Sequence, residues 1–202
     1  MTQTIAVVDY GSGNLHSVSR AIERVGGSAL VTRDPDEVAG ADALVIPGVG
    51  HFGACMRAIC HHGVDGSIER FRASGRPVFG VCVGMQVLFE GSDEDPEPGL
   101  GVLPGRVERL GDDVKVPHMG WNTAHLIADH PYMDGIADGT RFYFVHSFAP
   151  PPGDHTVATT DYGSTTFSAV VARDNVFATQ FHPEKSGDAG LHIYERFVRS
   201  LA

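Results

Sequence analysis

A cysteine lies between two glycines in the stretch VFGVCVGMQVLF, residues 78–89. The spacing Gly80-Val81-Cys82-Val83-Gly84 is the thiol counterpart of the G-x-S-x-G turn, which presents a nucleophile between a strand and a helix. Flanking glycines lack the Cβ atoms that would clash in so sharp a bend. An apolar run precedes the turn and residues at helical spacing follow it, so the pattern predicts a strand, a nucleophile turn and a helix.

The predicted turn has the chemistry of an activated thiol. At the N-terminus of a helix, the partial positive charge favours a Cys82 thiolate. The Val83 amide is then a candidate donor to the oxyanion of a tetrahedral intermediate. The pentapeptide alone is equally compatible with a small buried thiol that packs a strand against a helix, because such short motifs also occur by chance.

A nucleophilic thiol needs a base, and the base needs a group that orients it. The stretch ATQFHPEKSG offers both in His182 and Glu184. These residues are two apart, so on an extended segment they project to the same side. Cys82, His182 and Glu184 are therefore predicted to form a catalytic triad.

A second oxyanion donor is expected from another glycine-rich turn at the carboxyl edge of the sheet. The stretch VIPGVGHFG follows an apolar run at 42–46 and makes the amides of Val49 and Gly50 candidates. Taken alone, this stretch is more typical of a tight turn with no catalytic part.

The elements that must position these residues follow from the apolar pattern. Runs at 5–9, 42–46 and 77–81 each precede glycine and a possible helix, which predicts parallel strands with crossover helices. After residue 100, alternating and β-branched runs predict antiparallel strands. The acidic stretch SDEDPEPG, residues 92–99, is interpreted as a loop. We expect an α/β fold with an open, mixed, mostly parallel sheet flanked by helices and with added antiparallel strands in the second half.

Helices are predicted at both ends of the chain. The first begins after Asn14, a good N-cap residue, and stops at Gly26-Gly27. The last is amphipathic and runs from Leu191 to Leu201. A chain of 202 residues fits one compact domain, so residues 1–202 are predicted to form a single domain.

Composition limits the partners. The 25 acidic against 15 basic residues and the lack of a basic cluster argue against nucleic acid. The N-terminus does not resemble a signal peptide and no apolar stretch approaches membrane-spanning length, so we expect no membrane partner and a cytoplasmic protein. Three cysteines match no disulfide framework and suit a reducing compartment.

The strings GVCVGMQ, PGVGHFG and FHPEKSG, with Cys, His and Glu in that order, resemble the class I (triad) glutamine amidotransferases. The resemblance implies a flavodoxin-like fold and glutamine hydrolysis without a cofactor. It implies a γ-glutamyl thioester on Cys82, proton transfer by His182 and orientation of His182 by Glu184. By motif position, further residues line the L-glutamine pocket, with Glu94 against the substrate's α-amino group: Gly50, Gln86, His146, Ser147 and Phe148.

Longer strings, DYGSGNLHSV, VPHMGWN and YFVHSF, are similar to family members that act in histidine biosynthesis as the glutaminase subunit of a heterodimer. This similarity implies a separate cyclase subunit with a (βα)8 barrel that receives the ammonia. It places five residues at the cyclase or the ammonia passage: Asn14, Pro117, Met119, Trp121 and Lys185. Composition alone favours core packing for Met119 and Trp121. His51 and Gly187 depart from the family pattern.

Three alternatives remain open. Zinc could be held by His51, Cys55, Cys60, His61 and His62, but their spacing fits no common zinc module, and Cys55 and Ile59 have helical spacing that suits packing, so no metal is predicted. The elbow also fits a stand-alone cysteine hydrolase or the glutaminase of another amidotransferase. A regulatory module that binds glutamine without turnover is a third class.

Overall fold

The computed structural model describes residues 3–11 and 13–201, so Ser12 in the DYGSGNLHSV string lies outside the described residues. The first half alternates strands and helices: β1 Thr4–Val8, α1 Leu15–Arg24, β2 Ser28–Thr32, α2 Pro35–Gly40, β3 Ala43–Ile46, α3 Phe52–His61, α4 Val64–Ala73, β4 Val78–Val81 and α5 Val83–Gln86. The predicted strands at 5–9, 42–46 and 77–81 are therefore confirmed.

The second half is rich in strands, as predicted. They are β5 Phe89–Ser92, β6 Asp95–Pro98, β7 Leu103–Arg109, β8 His118–Thr123, β9 His125–Leu126, β10 Arg141–His146, β11 Phe148–Ala149, β12 Thr156–Tyr162, β13 Thr165–Arg173 and β14 Val176–Thr179. A 3-10 turn, Pro183–Lys185, and helix α6, Gly187–Arg199, follow.

A sheet of eight strands forms the centre, in the order β2-β1-β3-β4-β14-β13-β12-β9. Its strands run parallel from β2 to β14 and antiparallel from β14 to β9. A four-stranded sheet, β11-β7-β5-β6, and a ribbon of β8 with β10 complete the strands. The mixed, mostly parallel α/β fold that the sequence predicts is confirmed.

Apolar burial holds the parallel part together. Strands β3 and β4 are buried at every position, which is typical of parallel strands covered on both faces. Helix α1 contacts α6, whereas α4 contacts both α2 and α3. Helix α6 buries Ile193, Tyr194 and Phe197, in agreement with the amphipathic pattern near the C-terminus. Among residues 3–11 and 13–201, no helix has the length and apolarity that a bilayer crossing needs.

The acidic stretch 92–99 is not simply a loop, and that interpretation is wrong. Residues Asp95–Pro98 form β6, which pairs with β5. The strand lies at the edge of its sheet, where proline is tolerated because the missing N–H faces away from the ladder. The carboxylates that suggested a loop are instead fixed by partners on α3, among them Arg57.

The start of α1 also differs from expectation. Asn14 precedes the helix, but its side chain makes no capping hydrogen bond. Its amide nitrogen donates to Glu184 Oε1 at 3.3 Å instead. The predicted stop is confirmed, because α1 ends at Arg24 and Gly26 has φ +92°, a conformation that favours glycine.

Candidate active site

Cys82 lies on a strained turn between β4 and α5. Its φ of 53° and ψ of −111° are sparsely populated for a residue with a side chain, and such strain concentrates at functional sites. The flanking glycines are required by close approach. A Cβ on Gly84 would lie 1.8 Å from the Ile46 carbonyl oxygen, and one on Gly80 would lie 2.8 Å from the Gly84 oxygen. The turn therefore has the geometry that the sequence predicts for a nucleophile elbow.

Helix α5 is shorter than the sequence pattern suggests. It ends at Gln86, after four residues, and β5 begins at Phe89. So short a helix has little macrodipole, and the positive potential near Cys82 comes from the unpaired N–H groups of its first turn. Val83 is the first residue of that turn, which keeps its amide as an oxyanion donor candidate.

The base comes from the neighbouring strand. Strand β14 pairs with β4 in parallel, with Thr179 opposite Val81, and the Cys82 amide donates to the Thr179 oxygen at 2.8 Å. His182 follows β14 and thus reaches the elbow. Its Nδ1 lies 2.8 Å from Glu184 Oε1, with the two side chains 1% and 0% exposed.

The Glu184 contact determines which ring nitrogen of His182 faces the cavity. Nδ1–H donates to Glu184, so Nε2 is left for the substrate side, and it has no hydrogen-bond partner among the described residues. Desolvation lowers the pKa of His182, but the interactions with Cys82 and then with Glu184 outweigh it and raise the pKa to about 10. These two neighbours thus favour the protonated form of the His182 ring despite its burial.

A cavity of about 250 Å³ opens at the sulfur. Its lining includes Cys82, Val83 and His182, the Val49–Gly50 turn, and every residue that the resemblance placed in the glutamine pocket: Gly50, Gln86, Glu94, His146, Ser147 and Phe148. Pro117, expected at the partner side, lines it as well. A larger cleft of about 630 Å³ between α1 and α6 contains Glu184 but neither the sulfur nor His182, so the smaller cavity is the candidate site.

Hydrogen bonds within the protein fix the side chains of Gln86 and Glu94 at the cavity without a ligand. Gln86 Nε2 donates to the Phe148 oxygen at 2.8 Å and to Gln180 Oε1 at 3.0 Å. Both amide protons are used, so Oε1 is the acceptor that Gln86 can offer to a ligand. One oxygen of Glu94 accepts the Phe52 amide at 2.7 Å, at the N-terminus of α3. This hydrogen bond holds the Glu94 side chain at the cavity.

A pair of neutral histidines supports the Phe148 carbonyl. His146 Nδ1 lies 3.0 Å from that oxygen, and His146 Nε2 lies 3.1 Å from His118 Nδ1. Asn122 Nδ2 in turn reaches His118 Nε2 at 3.3 Å. Desolvation lowers the pKa of His118 to about 4 and, together with the nearby His118, lowers that of His146 to about 3. One proton per ring satisfies the whole chain of bonds.

The Pro47–Gly50 turn packs on the elbow. A Cβ on Gly48 would lie 2.3 Å from the Gly84 nitrogen, and Gly50 has φ +102°. The Val49 oxygen accepts from Cys55 Sγ at 3.7 Å. In a trans peptide the N–H points opposite to the C=O, so the Gly50 amide points away from Cys55. The roles of both amides in an oxyanion hole stay predictions.

The residues expected at the partner side lie at different depths. Asn14 is half-buried on Glu184, whereas Met119 is 63% and Trp121 48% exposed. The core packing that composition favours for Met119 and Trp121 is therefore wrong: both lie on β8 in the two-stranded ribbon, which leaves their face uncovered. Lys185 is exposed, with Nζ 5.9 Å from the centre of the Tyr143 ring.

The two residues that depart from the family pattern, His51 and Gly187, have different local surroundings. His51 is exposed at the start of α3, with Nδ1 3.8 Å from Asp95 Oδ2. Gly187 has φ +62°, which explains a glycine where the chain turns into α6. Neither residue is within the triad.

The alternative zinc ligands are not brought together. Cys55 is 1% exposed and, like Ile59, packs in the core, whereas Cys60 is exposed on the same helix. In the described part of the chain no three His, Cys, Asp or Glu side chains are grouped as a metal site would need.

The sequence analysis did not predict the contacts of Gln180 and the Val145 oxygen with the sulfur, or the contact between His118 and His146. Gln180 Nε2 lies 3.7 Å from Cys82 Sγ, and the Val145 oxygen lies 3.9 Å from the same atom. Gln180 was detectable, because it is two residues before His182 and projects to the same side. The His118–His146 contact was not, since it depends on the pairing of β8 with β10, which places the two residues opposite each other.

Comparison with known proteins identifies the family of the chain. The family model "Glutamine amidotransferase class-I" matches residues 6–201. A solved structure described as a glutamine amidotransferase superposes with a TM-score of 0.74 at 24% identity, covering 97% of each chain. The chain belongs to the class-I glutamine amidotransferase family.

Full-length relatives narrow the class. The chain is 47% identical to the "Imidazole glycerol phosphate synthase subunit HisH" of Chromobacterium violaceum over 96% of each sequence. It is also 47% identical to the protein of the same name from Methanothermobacter thermautotrophicus, over 98% of each. Within its family, the chain is thus a homologue of HisH subunits.

Proposed function

We propose that this chain is the glutaminase subunit of an imidazole glycerol phosphate synthase. It hydrolyses L-glutamine to L-glutamate and ammonia, acts as a single glutaminase domain in the cytoplasm, and supplies the ammonia to a separate cyclase subunit. The carrying observation is the buried Cys82 on a strained elbow, beside a His182 whose Nδ1 is held 2.8 Å from Glu184.

The first half of the reaction forms a thioester. The Cys82 proton passes to His182 Nε2, which gives the protonated ring that the raised pKa of His182 favours, and the sulfur attacks the side-chain carbonyl carbon of glutamine. The oxyanion that develops accepts from the Val83 amide, with the Val49–Gly50 turn as the source of a second donor. When the tetrahedral intermediate collapses, the C–N bond breaks and His182 gives its proton to the departing nitrogen, which leaves as ammonia.

The second half regenerates the enzyme. Neutral His182 takes a proton from water as the water oxygen attacks the thioester carbon. The C–S bond then breaks, glutamate leaves, and the sulfur departs as a thiolate beside the imidazolium. Glu184 holds the ring through Nδ1–H in both halves, as the third member of a triad does.

The cavity meets the needs of the amino-acid end of glutamine. Glu94 and the Gln86 Oε1 acceptor suit the α-ammonium group, because a desolvated charge must be paired. Ser147 and the Phe148 main chain lie at the same cavity and complete the polar lining. The volume of about 250 Å³ fits a small amino acid.

The proposed cyclase is a (βα)8 barrel that makes imidazole glycerol phosphate and an aminoimidazole carboxamide ribotide from a phosphoribulosyl precursor. The exposed Met119 and Trp121 support a partner face on the β8–β10 ribbon, since uncovered large apolar side chains mark interaction sites. We propose that Pro117 and Lys185 border that face or the ammonia passage. Asn14 is proposed to act on the partner side through its hydrogen bond to Glu184.

Glutamate release from glutamine tests the proposal. We expect low release from the chain alone, a strong rise with the separately expressed cyclase and its nucleotide substrate, and none with Cys82→Ala. A Cys60→Ser variant is the matched control, because that exposed cysteine is remote from the cavity lining and its loss leaves release unchanged. Glutamate release that is rapid and equal with and without the cyclase would overturn the partner assignment. The absence of any glutamate release would overturn the glutaminase activity itself.

A further inference from the structure

Gln180 contacts the reacting sulfur but takes no part in the proton transfers. It directly follows β14, and it is completely buried. The segment after it is extended at His182, so Gln180 and His182 project to the same side. Phe181 between them points away and stacks on Phe142, with ring centres 4.0 Å apart.

The orientation of the Gln180 amide is determined by its neighbours. Its Oε1 accepts from Gln86 Nε2 at 3.0 Å, and its Nε2 faces Cys82 Sγ at 3.7 Å. Gln86 is itself fixed by the Phe148 oxygen. A flipped Gln180 amide would bring two NH₂ groups together and turn a carbonyl oxygen toward the sulfur.

We propose that Gln180 is a catalytic residue of the glutaminase, whose side-chain N–H donates to the Cys82 sulfur whenever the sulfur carries negative charge. This inference rests on the proposed function, because it takes Cys82 as the nucleophile. It assigns Gln180 a role beside the Cys82, His182 and Glu184 triad.

The Val145 carbonyl is also close to the sulfur, and its hydrogen-bonding role is opposite to that of the Gln180 amide. The Val145 carbonyl, 3.9 Å away, accepts from a thiol S–H but repels a thiolate. The Gln180 N–H has the opposite preference, and hydrogen bonds to charged groups are the strong ones. In the covalent thioester the sulfur is neutral and this bond weakens; it is restored when the C–S bond breaks and the thiolate departs.

The same amide connects the sulfur to the substrate pocket. Gln86 holds Gln180 through Nε2 and offers Oε1 to the ammonium group of glutamine. An occupied pocket therefore fixes Gln86, and Gln86 fixes the donor on the sulfur. A Gln86→Met variant is expected to weaken glutamine binding and also to loosen the Gln180 amide.

Alkylation of Cys82 by iodoacetamide tests the role without substrate or partner. The full chain in a Cys60→Ser background is treated across a range of pH, and Cys82 modification is followed by mass spectrometry. We expect Gln180→Met to move the pH profile of alkylation to more alkaline values and to lower the rate at pH 7 about tenfold or more. Gln180→Glu lowers it further, because a carboxylate repels the thiolate.

Thr179→Val is the matched control. It removes a buried hydroxyl one residue away, which bonds to the Phe181 oxygen rather than to the sulfur. We expect this variant to lose stability but to keep the alkylation profile of the parent. Circular dichroism of each variant checks that it is folded; if Gln180→Met does not fold, the Gln180→Glu profile decides.

The two ways to fail are distinct. A reactive parent with unchanged profiles in the folded Gln180 variants overturns the role of Gln180 and leaves the glutaminase intact. An equal shift in Thr179→Val also overturns it, because the effect is then one of general packing. A parent whose Cys82 is inert at every pH, with no glutamate release, overturns the proposed function itself.

Discussion

The charge state of His182 is the central property of the site at the scale of single residues. Three influences act on its pKa: desolvation lowers it, while Cys82 and Glu184 together raise it to about 10. The carboxylate is buried as well, and its Oε1 contacts both Asn14 and the imidazole. Cys82 and Glu184 thus both favour the cationic form of His182.

We expect Cys82→Ala and Glu184→Gln each to lower the pKa of His182, because each removes a group that raises it. Nuclear magnetic resonance titration of the imidazole nitrogens in the parent and the two variants measures both shifts. An unchanged pKa of His182 in either variant would contradict the contribution of the group that the variant removes.

At the scale of elements, the site depends on how closely two turns approach. The elbow after β4 and the Pro47–Gly50 turn after β3 meet because these strands are parallel neighbours. Gly48 and Gly84 lie at the contact, and no side chain fits at either position. Tyr10, from the end of β1, donates its hydroxyl to the Pro47 oxygen and ties a third strand end to the same point.

We expect Gly84→Ala to destabilise the protein by about 3 kcal/mol or more, since its Cβ would lie 1.8 Å from the Ile46 oxygen. Gly40→Ala is the matched control: nothing lies within 4 Å of its added Cβ, so its effect is within about 0.5 kcal/mol. Urea denaturation compares the two. Equal stabilities would show that the turns separate at little cost.

His146, at the end of β10 in the β8–β10 ribbon, makes the free energy of unfolding depend on pH. His146 has an ordinary pKa of 6.5 in the unfolded chain and about 3 in the folded one. As the pH falls, the unfolded state therefore binds a proton at His146 before the folded state does. This proton does not affect the free energy of unfolding above pH 6.5, and it lowers that free energy as the pH falls from 6.5 toward 3.

We expect His146→Gln to be less stable than the parent at pH 7.5, and the gap to narrow by about 2 kcal/mol at pH 5. Free energies of unfolding at both values measure it. A gap that stays constant, or widens in acid, would show that His146 is charged in the folded protein.

The same elements show what a sequence can predict. Apolar periodicity locates β1, β3, β4, α1 and α6, because burial follows the repeat of each element. The triad is predictable because glycine spacing and a His-x-Glu pair are local signals. Long-range pairing is not local: the register that joins His118 to His146, and the edge position that lets acidic, proline-containing β6 form a strand, depend on neighbours distant in sequence.

At the scale of the whole molecule, the candidate site and the proposed partner face share one ribbon. Strand β8 turns Met119 and Trp121 outward and His118 inward, as alternation requires. His118 then reaches the cavity through His146 and the Phe148 carbonyl. A partner on the proposed face therefore contacts the strand that supports the proposed glutamine pocket.

We expect Met119→Glu to reduce cyclase-stimulated glutamate release at least about tenfold, because the charge must be desolvated in an apolar contact. Ile127→Glu is the matched control, since Ile127 is 58% exposed but follows β9 in the large sheet. Alkylation of Cys82 in the free chain stays normal in both variants. Unimpaired stimulation of Met119→Glu would place the partner elsewhere.

The central position of β14 has a consequence for synthesis on the ribosome. Its pairing with β4 completes the parallel sheet, and the segment after it carries Gln180 and His182 to a cysteine made about a hundred residues earlier. A nascent chain that has not yet extruded Val176–Glu184 holds Cys82 with no base beside it. The proposed triad is therefore complete only when the last strand enters the sheet, late in synthesis.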